Sequence, residues 1–160
     1  MEKYLSIYIN DHFGGSTAGV ELAKRAARNN RGDPEFGPAL ERIASEIEED
    51  RDGLKRIMSR LGIGEDRIKE AIGWALEKAG RLKPNGELLK FSPLSRLVEI
   101  EGLLGGVSAK QSLWKVLLDV QDAYPELDAA ELAELEQRAQ DQRARLYDLR
   151  GAAARIAFMP

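Results

Sequence analysis

Hydrophobic residues recur along most of the chain at intervals of three and four positions, which is the spacing of an amphipathic helix. Three of these series are long and nearly unbroken, and each carries one polar residue among its apolar members. The series are Phe36, Leu40, Ile43, Ile47, Asp50, Leu54, Ile57 and Leu61; Leu97, Ile100, Leu104, Val107, Gln111, Trp114 and Leu118; and Leu132, Leu135, Ala139, Gln142, Leu146, Leu149, Ala153 and Ile156. Series of this kind predict long helices that pack side by side.

The first thirty residues carry a weaker version of the same pattern. Residues 5–9 could form a short strand, and each glycine among residues 14–19 weakens a helix by roughly 1 kcal/mol. The run from 18 to 27 is rich in strong helix formers, however, and a lone strand would have no partner. We therefore predict a helix whose packed positions are Leu5, Tyr8, His12, Gly15, Gly19, Leu22 and Ala26.

Turn residues separate these segments. Asp33 and Pro34 suit a helix start, as do Ser92 and Pro93, and Asp128 can cap the last segment. One helical domain, 1–160, is expected. Its predicted long helices cover about 3–29, 34–61, 93–121 and 128–157, and a crossover at 62–92 carries a short helix at about 65–80.

The length of the crossover decides the topology. Adjacent antiparallel helices are usually joined by about 2–8 residues, and 62–92 is far longer. A helix of about 27 residues is roughly 40 Å long, a distance that a short helix with extended flanks can cover. We therefore predict an all-α, four-helix bundle with up-down-down-up topology.

Two helical hairpins joined by a long crossover, together with the acidic stretch Ala-Ser-Glu-Ile-Glu-Glu-Asp-Arg at 44–51, resemble the ferritin-like superfamily, and rubrerythrin-like and stress-linked bacterial bundles in particular. The di-iron site of that family uses Glu-x-x-His on two helices. Here Ile47 and Asp50 occupy the corresponding inward positions, and no histidine follows them. The resemblance therefore implies the fold without the iron chemistry.

Composition narrows the function classes. The chain has no cysteine and one histidine, His12, which excludes thiolate metal sites, cysteine nucleophiles and sites that need two histidines. A net charge of −3 gives no general attraction for nucleic acid. No stretch resembles a secretory signal or approaches the roughly 18 apolar residues of a membrane span, so we expect a cytoplasmic protein without membrane insertion.

Each predicted long helix places one hydrogen-bonding residue on its apolar stripe: His12, Asp50, Gln111 and Gln142. With the crossover, all four fall within about one helical turn of the same height, roughly 5 Å. We predict a buried polar layer that fixes helix register, in which an Asp50–His12 hydrogen bond would favour the imidazolium. Gly15 and Gly19 lie near this layer, and they either let helices approach closely or leave room for a ligand; close packing is the expectation.

Two functions are compatible with these patterns. The leading expectation is a non-enzymatic, ferritin-like bundle of interaction or accessory type without a cofactor, forming a homodimer or docking a protein partner. The alternative is a bundle that binds an unknown divalent metal or a small ligand near His12 and Asp50. The candidate metal ligands are His12, Glu46, Glu49, Asp50 and Glu101. No catalytic residue is indicated, which favours a protein that is not an enzyme.

Overall fold

The computed structural model describes residues 2–63 and 91–159, and four long α-helices make up nearly all of them. No strand occurs within these residues, so the predicted all-α, four-helix bundle is confirmed. The predicted short helix at about 65–80 lies outside the described residues. The helices are α1 (Glu2–Asn30), α2 (Phe36–Arg60), α3 (Pro93–Val120) and α4 (Ala129–Phe158), and a 3₁₀ turn (Gln121–Ala123) follows α3.

Contacts between helix ends establish the directions of the helices. Arg96 in the first turn of α3 donates to Asn30 Oδ1 at 2.6 Å and lies 2.9 Å from Asp33 Oδ2, so α3 begins beside the α1–α2 turn. Arg60 in the last turn of α2 forms an ion pair with Glu131 in the first turn of α4. Therefore α2 and α3 run parallel and α4 runs antiparallel to α2, which confirms the up-down-down-up topology.

The core lies between helices that pack in a square. α1 packs against α2 and α3, α3 packs against α4, and α2 packs only sparsely against α4. Burying each large apolar side chain contributes about 1.5–3 kcal/mol. The largest fully buried side chains include Trp114, Phe36, Ile9, Leu40, Ile43, Leu54, Ile57, Met58, Ile100 and Leu132.

Within the described residues, no helix combines the length and the apolar character needed to cross a bilayer.

The α1–α2 turn is tight and depends on two residues. Asp33 Oδ1 accepts hydrogen bonds from the amides of Glu35 and Phe36, each at 3.0 Å, so Asp33 caps the first turn although α2 itself begins at Phe36. A Cβ on Gly37 would lie 2.9 Å from Asn30 O. This close backbone approach explains why a glycine stands in the first turn of α2.

The other ends of the helices follow the turn chemistry of the sequence. Gly62 ends α2 with a φ of 67°, a left-handed conformation that favours glycine. Ser92 Oγ accepts from the amide of Ser95 at 3.2 Å, with Pro93 at the first helical position of α3. Asp128 Oδ1 accepts from the amide of Ala130 at 2.8 Å. These caps fix where the helices begin and end.

Candidate functional site: a cavity beside a buried charge cluster

Three of the four predicted polar-layer residues are buried in the bundle. Asp50 and Gln142 are 0% exposed and Gln111 is 4% exposed. Gln142 Nε2 donates to Asp50 Oδ2 at 3.0 Å, so α2 and α4 are joined by this hydrogen bond. Gln111 instead donates to Glu136 Oε1 at 2.7 Å and accepts from a neighbouring arginine of α4. The structure thus brings Asp50 and Gln142 together and gives Gln111 other partners.

His12 is half-buried and forms its hydrogen bond within its own helix. Its Nδ1 lies 3.0 Å from Tyr8 O, and the two rings are 4.4 Å apart between centroids. Because a carbonyl oxygen can only accept, Nδ1 carries a proton and is the donor in this contact. The hydrogen bond of His12 therefore goes to Tyr8 and not to Asp50, and this contact fixes the tautomer.

Lys110 supplies the cation beside Asp50, and the sequence pattern did not single it out. Its Nζ lies 2.5 Å from Asp50 Oδ2 and 2.5 Å from Gln142 Oε1. Arg138 NH1 is 3.3 Å from the other carboxylate oxygen, Oδ1. Asp50, Lys110, Arg138 and Gln142 together are called the Asp50 cluster below. Lys110 adjoins Gln111 but lies off the apolar stripe, and its long side chain reaches inward.

The electrostatics of the Asp50 cluster reflect its burial. Burial lowers the pKa of Lys110, and the neighbouring Asp50 carboxylate only partly opposes this effect. Ionised groups withdrawn from water are stable only when opposite charges and hydrogen bonds replace the lost hydration. The lysine and the amide donate hydrogen bonds to Asp50 Oδ2, and the arginine supplies a second positive charge beside Oδ1, which itself has no hydrogen-bond partner.

The predicted metal ligands do not converge. Glu46 accepts from Arg42 at 3.1 Å and pairs with Arg145; burial acts to raise the pKa of Glu46, but the Arg145 contacts outweigh it and the pKa is lowered. Glu49 lies 3.2 Å from Arg138, and Glu101 is exposed on α3. Among residues 2–63 and 91–159, no three His, Cys, Asp or Glu side chains form a group that could hold a metal ion.

A cavity of about 270 Å³ lies between α1, α2 and α3, beside the Asp50 cluster. His12, Asp50 and Lys110 line it together with Trp114 and small residues of α1 and α3. This space is called the α1–α3 cavity below. Most of the surface of its wall is apolar, which suits a largely apolar occupant. The larger aliphatic side chains in the wall are Leu22, Ile47, Leu54, Leu103, Val107 and Leu113.

Glycines create the α1–α3 cavity. A Cβ placed on Gly15, Gly19 or Gly106 would meet no atom within 4 Å, and all three residues line the cavity. The expectation that Gly15 and Gly19 allow close helix packing is therefore wrong, since the space beside them is open. Gly15 and Gly106 are also exposed, so the cavity opens to the surface between α1 and α3.

Trp114, which lines the α1–α3 cavity, has an unpaired hydrogen-bond donor. The residue is 1% exposed and lines the cavity, and its Nε1–H has no hydrogen-bond acceptor. Leaving a buried donor unpaired costs about 1–3 kcal/mol, so such groups usually indicate a ligand or a bound water. Trp114 was expected as a core residue, and the free indole N–H could not be read from its position in the series.

The arrangement suits non-covalent binding. The buried charges are paired in the Asp50 cluster and with Glu49, and most of the wall surface is apolar. Two buried polar atoms of lining residues, Trp114 Nε1 and Asp50 Oδ1, have no hydrogen-bond partner. Comparisons of the chain with models of known protein families, with curated proteins and with solved structures found no match. The function must therefore be argued from this geometry.

Proposed function

We propose that this chain is a non-enzymatic helical bundle that binds a small, largely apolar molecule in the α1–α3 cavity, near His12 and Asp50. The observation that carries the proposal is the open space beside Gly15, Gly19 and Gly106, all of which line the cavity. An engineered cavity of about 150 Å³ admits benzene. The volume of about 270 Å³ is therefore large enough for a bicyclic ligand.

The small-ligand version of this function is better supported than the metal version. A bound divalent metal needs several oxygen or nitrogen ligands around one point. In the described part of the chain no third His, Cys, Asp or Glu side chain lies close enough to His12 and Asp50 to complete a metal site. Asp50 already has Lys110 and Arg138 as counter-charges. A metal added here would compete with both cations.

A calorimetric titration with naphthalene tests the proposal. We expect saturable binding to the wild-type protein and loss of binding in Gly106→Leu, whose side chain would enter the cavity. Gly105→Leu is the matched control, because Gly105 also has open space around it but does not line the cavity. No binding to the wild type, or equal binding to both variants, would contradict the proposal. Iron, manganese and zinc serve as parallel titrants for the metal alternative.

The second candidate is an interaction role through α3, with a second copy of the chain as the partner. It is favoured by apolar side chains on the outer face of this helix: Leu94 is 52%, Val98 57% and Val116 37% exposed. They span about 33 Å of helix at 1.5 Å per residue, and pairing two such faces would form a symmetric interface. Light scattering after size exclusion tests this role. We expect a dimer that Val98→Glu dissociates, whereas a wild-type monomer at high concentration would contradict it.

A ferritin-like relationship remains part of the proposal, together with the cytoplasmic location expected from the sequence. What supports the relationship is the helix order and the parallel direction of α2 and α3. It concerns the fold only, because the metal ligands of that superfamily have no counterpart in the described residues.

A further inference from the structure

We infer that the α1–α3 cavity selects neutral molecules that carry a hydrogen-bond acceptor, with Trp114 Nε1–H as the donor that recognises it. This inference rests on the proposed function and specifies the chemical class of the ligand. Its structural basis is the coexistence of an apolar wall, buried charges that are already paired, and the buried indole donor of Trp114, which has no acceptor.

The pairing of the buried charges disfavours a charged ligand. Lys110 and Arg138 pair with Asp50, Arg138 also pairs with Glu49, and Arg51 lies 2.9 Å from Asp52 and 3.6 Å from Glu48. Asp11, which also lines the cavity, is exposed to water. An anion or a cation that entered the cavity would lose its hydration and find these counter-charges already engaged. A neutral ligand pays no such desolvation cost.

The indole of Trp114 sets the polar requirement. Trp offers a donor and no acceptor, so its partner must be an ether, carbonyl, hydroxyl or ring nitrogen. A hydrogen bond of ordinary strength corresponds to about fivefold in affinity. A ligand without an acceptor would still fill the apolar space, but it would leave the indole N–H unpaired.

The volume sets the size of the ligand. Benzene, with six heavy atoms, occupies an engineered cavity of about 150 Å³. Scaled to about 270 Å³, the α1–α3 cavity suits a molecule of roughly eleven heavy atoms. Bicyclic aromatic compounds with one small substituent have this size.

Four naphthalene derivatives test the inference by calorimetric titration. 2-Methoxynaphthalene carries an acceptor, and 2-ethylnaphthalene has a substituent of similar size without one. 2-Naphthoate and naphthalen-2-ylmethylammonium add a negative and a positive charge. We expect the methoxy compound to bind about fivefold more tightly than the ethyl compound, and both charged compounds to bind at least tenfold more weakly than the methoxy compound.

Trp114→Phe supplies the matched variant, since it keeps an aromatic ring and removes the donor. We expect it to lose the fivefold preference for the methoxy compound while its affinity for the ethyl compound changes little. Circular dichroism establishes that the variant is folded, and if it is not, the preference in the wild-type protein alone decides.

The outcomes separate the two proposals. If the methoxy and ethyl compounds bind equally, or if 2-naphthoate binds most tightly, the selectivity is overturned while cavity binding stands. Retention of the preference in folded Trp114→Phe would overturn the role of this residue. If none of the four compounds binds, both the inference and the proposed function fail.

Discussion

Lys110 Nζ lies 2.5 Å from Asp50 Oδ2, so two charges from different helices meet inside the bundle. The carboxylate is fully buried and the lysine side chain is 13% exposed. A buried ion pair adds little net stability compared with an apolar pair of the same shape, but either partner left alone is costly. The contact therefore fixes the relative heights of α2 and α3 at the wall of the cavity.

Lys110→Met should destabilise the protein by about 3–5 kcal/mol, because Asp50 would remain buried with a weakened set of counter-charges. Urea unfolding at neutral pH measures the loss. Lys115→Met is the surface control: Lys115 Nζ is 3.7 Å from Glu136, but its side chain is 59% exposed. We expect that control to change stability by about 0–1 kcal/mol.

The double variant Lys110→Met/Asp50→Leu should recover most of the stability that the single variant loses, because it removes both charges. If the single Lys110→Met variant is as stable as the wild type, the Lys110–Asp50 ion pair does not have the structural role assigned to it.

A second buried carboxylate, Glu99, should make stability depend on pH. It accepts from Arg25 at 3.0 Å and from Asn29 at 2.8 Å, yet burial raises its pKa more than these partners lower it. The folded protein therefore binds this proton more tightly than the unfolded chain does. Its contribution to the free energy of unfolding decreases as pH rises from the ordinary glutamate pKa, about 4.3, through the raised folded value.

Glu99→Gln removes the buried charge and keeps the shape. We expect the variant to have a higher melting temperature than the wild type at pH 7 and a similar one at pH 3, where Glu99 is protonated. Thermal unfolding at the two pH values measures the difference. If the variant is less stable than the wild type at pH 7 and matches it at pH 3, ionised Glu99 stabilises the folded protein, which would contradict this prediction.

Two glycine-to-alanine substitutions should have opposite effects on stability. In Gly37→Ala the new Cβ would lie 2.9 Å from Asn30 O, so the α1–α2 turn must shift, at a cost of about 1–3 kcal/mol. In Gly105→Ala the Cβ meets open space within a helix, and we expect a gain of roughly 0.5–1 kcal/mol. Denaturant unfolding of both variants checks the signs, and equal effects would refute the steric argument.

The topology could be predicted from the sequence because it follows from distance. The stretch at 62–92 is too long for a simple hairpin, and the caps at Asp33, Ser92 and Asp128 mark where helices begin. The proximity of Asp50 and Gln142 could also be predicted, since both residues lie on apolar stripes at similar heights. Periodicity is informative about which side of a helix faces inward.

The details of the site could not be predicted because they depend on spacing between helices. Lys110 lies beside the apolar stripe, and only the distance between α2 and α3 allows its side chain to reach Asp50. His12 finds an acceptor one helical turn away at Tyr8 O, a contact that competes with any partner on another helix. Glycines on an apolar stripe are compatible either with close contact between two helices or with an open space between them. The distance between the helices decides which occurs, and the sequence does not determine that distance.

The central claim is that the α1–α3 cavity binds a small molecule that reaches the indole of Trp114. The most direct measurement is the NMR signal of the Trp114 indole Nε1–H during titration with 2-methoxynaphthalene, with assignment by its disappearance in Trp114→Phe. The account predicts that this signal moves progressively and saturates as the cavity fills. A Trp114 signal that stays in place at saturating probe concentrations would contradict it.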